Sequence, residues 1–183
     1  MPIYISLLRG INVGAHKRIK MDQLRASFEK LGLEQVKTYI QSGNVIFKTI
    51  KAPPARLSKQ IEDRLLSDFG FPVSVVSRTA DEMSKVIEGN PLLKKRGIDH
   101  EKLHVMFLSD APAAPALKNL AALTAAPDQA CCLSKTIYLY LPNGTAESSL
   151  MKSPLDRVLS VVTTTRNWKT VNALHQMCQD CRG

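Results

Sequence analysis

The chain is short of aromatic residues, which make up 5% of it, with a single tryptophan. Aliphatic side chains must therefore fill most of any core. It has no apolar run near the roughly 18 residues of a membrane-spanning helix, which excludes that class. The N-terminal stretch MPIYISLLRG lacks a basic n-region, and its apolar run is too short for a secretory h-region. Cysteine is also scarce: two residues are adjacent, Cys131 and Cys132, and two form Cys178-x-x-Cys181. Adjacent cysteines rarely bridge, so no disulfide framework is expected and a cytoplasmic location is. Acidic residues are the other shortage, 16 against 25 Lys and Arg, for a net charge of +9. That balance favours anionic partners, although the cations are scattered and serve solubility equally well.

Several catalytic signatures are missing. There is no G-x-S-x-G, no H-E-x-x-H, no carboxylate pair flanked by glycine, no P-loop and no G-x-G-x-x-G. His16, His100, His104 and His175 are dispersed, and His104 falls in an apolar strand. Ser42 beside Gly43 has no histidine evidently placed to activate it. No nucleophile, base or cofactor is assigned, and enzymatic activity is left open. The cysteines make a poor metal set, because neighbours on a strand point to opposite faces and Cys181 lies two residues from the end. No metal is expected.

What is present is regular. IYISLL (3–8) reads as a buried strand, and Met21, Leu24, Phe28 and Leu31 mark a helix that Gly32 stops. Val36–Gln41 and Asn44–Lys48 flank Ser42-Gly43, a hairpin signal. Pro53-Pro54 open a helix striped by Leu57, Ile61, Leu65 and Phe69, and PVSVVS (72–77) is a strand. Thr79-Ala-Asp-Glu82 is a capping box. A polar segment, LKKRGIDHE, then separates this half from a second run of the same order. That run comprises a strand at 103–109, a helix at 112–125, a hairpin at 129–134 and 136–141, a short helix at 154–159, a strand at 160–165 and a final helix from Asn167. The expected fold is α+β: two ferredoxin-like, split βαββαβ subdomains with antiparallel four-stranded sheets, each followed by a helix. The expected divisions are residues 1–90, a linker at 91–102, and residues 103–183.

The motifs YISLLRGINVG (4–14), KTYIQSGNVIF (37–47), FGFPVSVVSRT (69–79), LHVMFLS (103–109) and TTTRNWKTV (163–171) resemble the bacterial domain-of-unknown-function family 1697. The resemblance runs from end to end and implies the same two-subdomain fold, with no established activity. Its pattern marks Arg9, Gly10, Asn12, Val13 and Gly14; Tyr39, Gln41, Ser42, Gly43 and Asn44; and Arg166, Asn167, Trp168 and Thr170. Ala15 and Lys169 depart from it, standing where glycine and asparagine are common.

Two clusters carry the functional expectation. In a split βαβ sheet strand 1 lies beside strand 3, so Arg9 and Asn12 should meet Gln41, Ser42 and Asn44 at one edge. An arginine fork and glycine-exposed amides suit phosphate or carboxylate. The competing reading is structural, with Arg9 capping the hairpin and Asn12 bridging loop to turn. The second cluster is Arg166, Asn167 and Trp168, where a helix start with an adjacent arginine resembles an anion site and capping alone explains the asparagine. The expected function is binding of a small anionic ligand, phosphate-bearing as one candidate. The alternatives are a nucleic-acid-binding module, weakly supported by IYISLL and Phe47, and a structural or protein-interaction role.

Overall fold

The computed structural model describes residues 1–182. In chain order it contains β1 (Ile3–Leu8), α1 (Met21–Glu29), β2 (Glu34–Tyr39), β3 (Asn44–Lys48), α2 (Pro54–Phe69), β4 (Val75–Thr79) and α3 (Ala80–Glu88). Two 3-10 turns follow, Pro91–Lys94 and His100–Lys102, where the sequence reads only as a polar connection. Then come β5 (Leu103–Leu108), α4 (Ala114–Leu123), β6 (Gln129–Leu133), β7 (Thr136–Tyr140), α5 (Ser149–Lys152), α6 (Leu155–Leu159), β8 (Thr163–Asn167) and α7 (Trp168–Asp180). The fold is α+β, with two antiparallel four-stranded sheets ordered β2-β3-β1-β4 and β6-β7-β5-β8. The chain divides into one unit of Met1–Lys85 with the chain from Ala173 onward, and a second of Val86–Asn172.

In the first unit Tyr4, Leu8, Val45, Phe47 and Val75 pack with Leu24 and Phe28 of α1 and with Leu57, Ile61 and Leu65 of α2. The Phe47 ring lies 5.9 Å from Tyr4 and 5.6 Å from Phe28. The opposite side-chain set of β1, Ile3, Ile5 and Leu7, is buried too. Burial on both faces is why this strand reads as a continuous apolar run rather than as an alternation. β5 repeats the pattern with Leu103, Val105 and Phe107 against Met106 and Leu108.

Local signals are used as written. The Thr79 hydroxyl accepts from the Glu82 amide, and the Glu82 carboxylate accepts from the Thr79 amide. Gly70 ends α2 at φ 77°, a left-handed position where glycine carries no Cβ penalty. Both fourth strands, however, begin three residues and end two residues later than the apolar pattern places them. Each contains an arginine, Arg78 in β4 and Arg166 in β8, and a charged residue inside a strand hides it from an apolar template.

Asp68, at the end of α2, ties α1 to α2. Its carboxylate accepts from the Arg64 guanidinium and the Ser27 hydroxyl, with Lys30 nearby. The Arg64 hydrogen bonds lead in lowering its pKa to about 2 from 3.8. A depressed carboxylate contributes stability above its unfolded pKa and loses it as pH falls through the folded value. Melting temperature is therefore expected to drop more steeply from pH 4 to pH 2 in the wild type than in Asp68→Asn. Parallel curves would show that Asp68 contributes nothing.

Candidate functional site

The first unit carries an elaborated loop between β1 and α1. At its start the Leu8 amide donates to the Gly43 carbonyl at 2.8 Å and the Arg9 amide to the Ser74 carbonyl at 2.9 Å. The end of β1 is thus joined to the β2–β3 hairpin on one side and to the lead into β4 on the other. Ile11 and Ile19 enter the core at 1% and 2% exposure and anchor the two limbs. Val13 to Arg18 between them are exposed. Gly10, Asn12, Gly14 and Lys17 all have positive φ, which lets the chain reverse within a short span.

Asn12 is the clamp. Its Oδ1 accepts from the Ile19 amide at 2.9 Å, while its Nδ2 donates to the Ile19 carbonyl at 3.0 Å and to the Gln41 carbonyl at 2.8 Å. Its own amide donates to the Lys17 carbonyl. One amide side chain therefore closes the loop and fastens it to the hairpin. The Lys17 ammonium donates to the Pro72 carbonyl at 2.9 Å, a third attachment. Within the hairpin, Asn44 is fully buried and its Nδ2 donates to the Tyr39 carbonyl at 2.9 Å and the Ser42 hydroxyl at 3.0 Å. Gly43 lies against Leu8 and Ile11.

Sequence reasoning brings Arg9, Asn12, Gln41, Ser42 and Asn44 to one edge, and the backbone and side-chain contacts join these loops there. Asn12, Ser42 and Asn44 work within the scaffold. What the edge presents to solvent is Arg9, His16, Lys17, Arg18 and Gln41, flanked by exposed Val13 and Ile40. No Asp or Glu occurs among residues 1–21 or 35–61, the two segments that supply these side chains. His16, and the attachment of Lys17 to Pro72, are what the motif reading does not single out. The second depends on the register of β4, which Arg78 obscures.

The second unit supplies an internal control. There Leu108 and Ser109 make the equivalent amide bonds, to the Lys135 and Val162 carbonyls, both at 2.9 Å. Yet β5 reaches α4 through residues 109–113 alone, against residues 9–20 in the first unit. That short loop carries an acid, Asp110, whose carboxylate pairs with Lys135 at 3.4 Å. The hydrogen bond from the Ala111 amide, and then Lys135, hold its pKa below the usual range. The β-sheet frame closes without a long basic loop.

The second cluster lies in the other unit. Arg166 falls inside β8 rather than beyond it, opposite Val105, and is 8% exposed. Its Nη1 donates to the Thr164 hydroxyl and the Thr165 carbonyl, and burial pushes its pKa down to about 10. Asn167 Oδ1 accepts from the Thr170 amide as a helix cap, and Trp168 is buried. Arg78 occupies the same register in the first unit, opposite Ile5 and 6% exposed. There Thr79 caps the following helix as Asn167 does. Repetition of the arrangement in both units marks it as part of the frame. The parallel between Ser77-Arg78-Thr79 and Thr165-Arg166-Asn167 is legible in the sequence once the strands are aligned.

The stacking platform that single-stranded nucleic acid needs is not formed on β1 and β3. Tyr4 and Phe47 are each 1% exposed and stack on one another under the helices. Cys132 packs toward the helical side of the second sheet, whereas Cys131 lies opposite Tyr138 on the alternate set. Among the described residues no three His, Cys, Asp or Glu side chains are grouped to hold a metal ion.

The family model described as "Protein of unknown function (DUF1697)" matches residues 1–138. The fold is similar to that of the conserved bacterial protein SP0830 from Streptococcus pneumoniae, with a TM-score of 0.73 and 24% identity, over 97% of this chain and 98% of that one. No curated protein matches the sequence. No helix among the described residues is long and apolar enough to cross a membrane.

Proposed function

The chain belongs to the family of proteins of unknown function DUF1697, and we propose that it binds a phosphate-bearing anion at the β1–α1 loop of its first unit. Arg9 and Arg18 supply the charge, with His16, Lys17 and the Gln41 side chain as further donors. One observation carries this reading. The second unit closes the same strand ends with residues 109–113 and an acidic side chain, so the frame does not require the basic loop of residues 9–20. Such a loop, rigidified by the Asn12 clamp, limits the ordering entropy that anion capture would otherwise cost. Guanidinium groups take phosphate oxygens in pairs, and several cations on one loop raise the local anion concentration. The proposal does not depend on Arg166, Asn167 and Trp168.

Pyrophosphate is expected to raise the melting temperature of the wild type at low salt, and Arg9→Ala/Arg18→Ala is expected to remove that rise while circular dichroism stays unchanged. A rise of equal size in the double variant would overturn the reading. Added salt is expected to weaken the effect, since the exposed charges are screened within about 10 Å at 0.1 M.

A further inference from the structure

The second unit contains a cleft of about 490 Å³ between α4 and the edge strand β6. That volume lies within the roughly 300–1,000 Å³ range of small-molecule sites. Its origin is visible in the comparison of the two units. In the first, α1 packs against β2, and Arg25 bridges to the Thr38 hydroxyl at 2.9 Å. In the second, α4 packs on α5 and α6 and stands off β6. The long α2 of the first unit, Pro54–Phe69, is replaced by the two short helices Ser149–Lys152 and Leu155–Leu159, so less helix covers the sheet.

The walls are apolar and small. Leu120 and Ala121 face the cleft from α4, and Ala130 and Cys132 face it from β6. Two alanines leave the space that larger side chains would fill. The rim carries one cation, Lys95. The Lys95 ammonium donates to the Gln129 side-chain oxygen at 2.6 Å, a neutral partner, and both residues line the cleft. No carboxylate is among the residues that line it. An apolar trough ending at a cation matched only to an amide suits an apolar chain with an anionic end.

We propose that this cleft binds a small amphipathic carboxylate, with its aliphatic chain against Leu120, Ala121, Ala130 and Cys132 and its carboxylate on Lys95 in place of Gln129. The cleft belongs to the second unit and the basic loop to the first, and either assignment stands or falls without the other.

Cys132 reports occupancy, because its thiol lines the cleft. Burial pushes the thiol pKa up, so alkylation by iodoacetamide is best followed at pH 8.5, with Cys181 as an internal reference. Decanoate is expected to slow Cys132 alkylation at least tenfold and leave Cys181 unchanged. Acetate lacks the tail and decyltrimethylammonium reverses the head charge, so neither is expected to protect. Lys95→Met is expected to weaken decanoate at least tenfold, and Ala121→Trp, at an exposed helical position, to abolish protection with the circular dichroism unchanged. Protection by decyltrimethylammonium equal to that by decanoate would overturn the proposal. So would no protection by decanoate in the wild type, or undiminished protection in Lys95→Met.

Discussion

Gly43→Ala is expected to destabilise the protein by about 3 kcal/mol, from left-handed strain of about 1–2 kcal/mol and overpacking of about 1–3 kcal/mol. Gly43 has φ 81°, where a side chain is strained whatever the space. The space is also absent. A Cβ there would stand 2.7 Å from the Leu8 Cβ and 2.9 Å from the Ile11 Cδ1. Leu8 is fully buried and Ile11 nearly so, and the Leu8 amide is bonded to the Gly43 carbonyl, so neither side withdraws freely. Relief requires the hairpin to move away from β1, which also loosens the base of the loop. Urea titration should show the midpoint fall with little change in slope. A midpoint within error of the wild type would mean that the hairpin is not seated on β1 as described.

Asn12→Ala is expected to cost about 2–3 kcal/mol, since each of three side-chain hydrogen bonds contributes about 1 kcal/mol net and the position favours asparagine over alanine. Its φ of 54° is left-handed, a region asparagine tolerates through local hydrogen bonding. The nearly isosteric Asn12→Asp separates polarity from size. The carboxylate still accepts from the Ile19 amide, but it turns an oxygen toward the Ile19 and Gln41 carbonyls in place of a donor. Asp is therefore expected to be at least as damaging as Ala at pH 7. Amide exchange at Ile19 should accelerate in both variants: Asn12→Ala removes its hydrogen-bond acceptor, and Asn12→Asp keeps the acceptor but loosens the loop through repulsion from the Ile19 and Gln41 carbonyls. If Asn12→Asp matches the wild type, the amide is not a clamp.

Much of this architecture is legible in the residues. IYISLL and LHVMFL are long apolar runs because β1 and β5 are central strands buried on both faces. Gly70, Thr79 and Asn167 mark helix ends by their own chemistry. The pairing of Arg9-Gly10-Ile11-Asn12 with Gln41–Asn44 follows from strand order alone, since the start of β3 must lie beside the end of β1. Other features depend on distances that no local pattern encodes. Arg166 reads as a loop cation after three threonines, yet backbone pairing with Val105 carries the strand through it and buries its guanidinium. The attachment of Lys17 to the Pro72 carbonyl spans 55 residues and needs the register of β4. The cleft beside β6 arises from where α4 is held by α5 and α6, which two short helical patterns do not announce.

The structural interpretation of Asn12 and the functional interpretation of the loop support one another. An asparagine spent on holding a loop leaves fewer polar groups to contact a ligand directly, but it holds the remaining ones in place. Exposed Val13, at 72%, and Ile40, at 50%, sit beside the basic rim, an arrangement the β-sheet frame does not need.

Backbone amide chemical-shift mapping with pyrophosphate tests the central claim most directly. Saturable shifts confined to residues 9–20 and 41–43, and lost in Arg9→Ala/Arg18→Ala, are the predicted result. Shifts centred on residues 163–170, or no saturable shift at millimolar pyrophosphate and low salt, would contradict it.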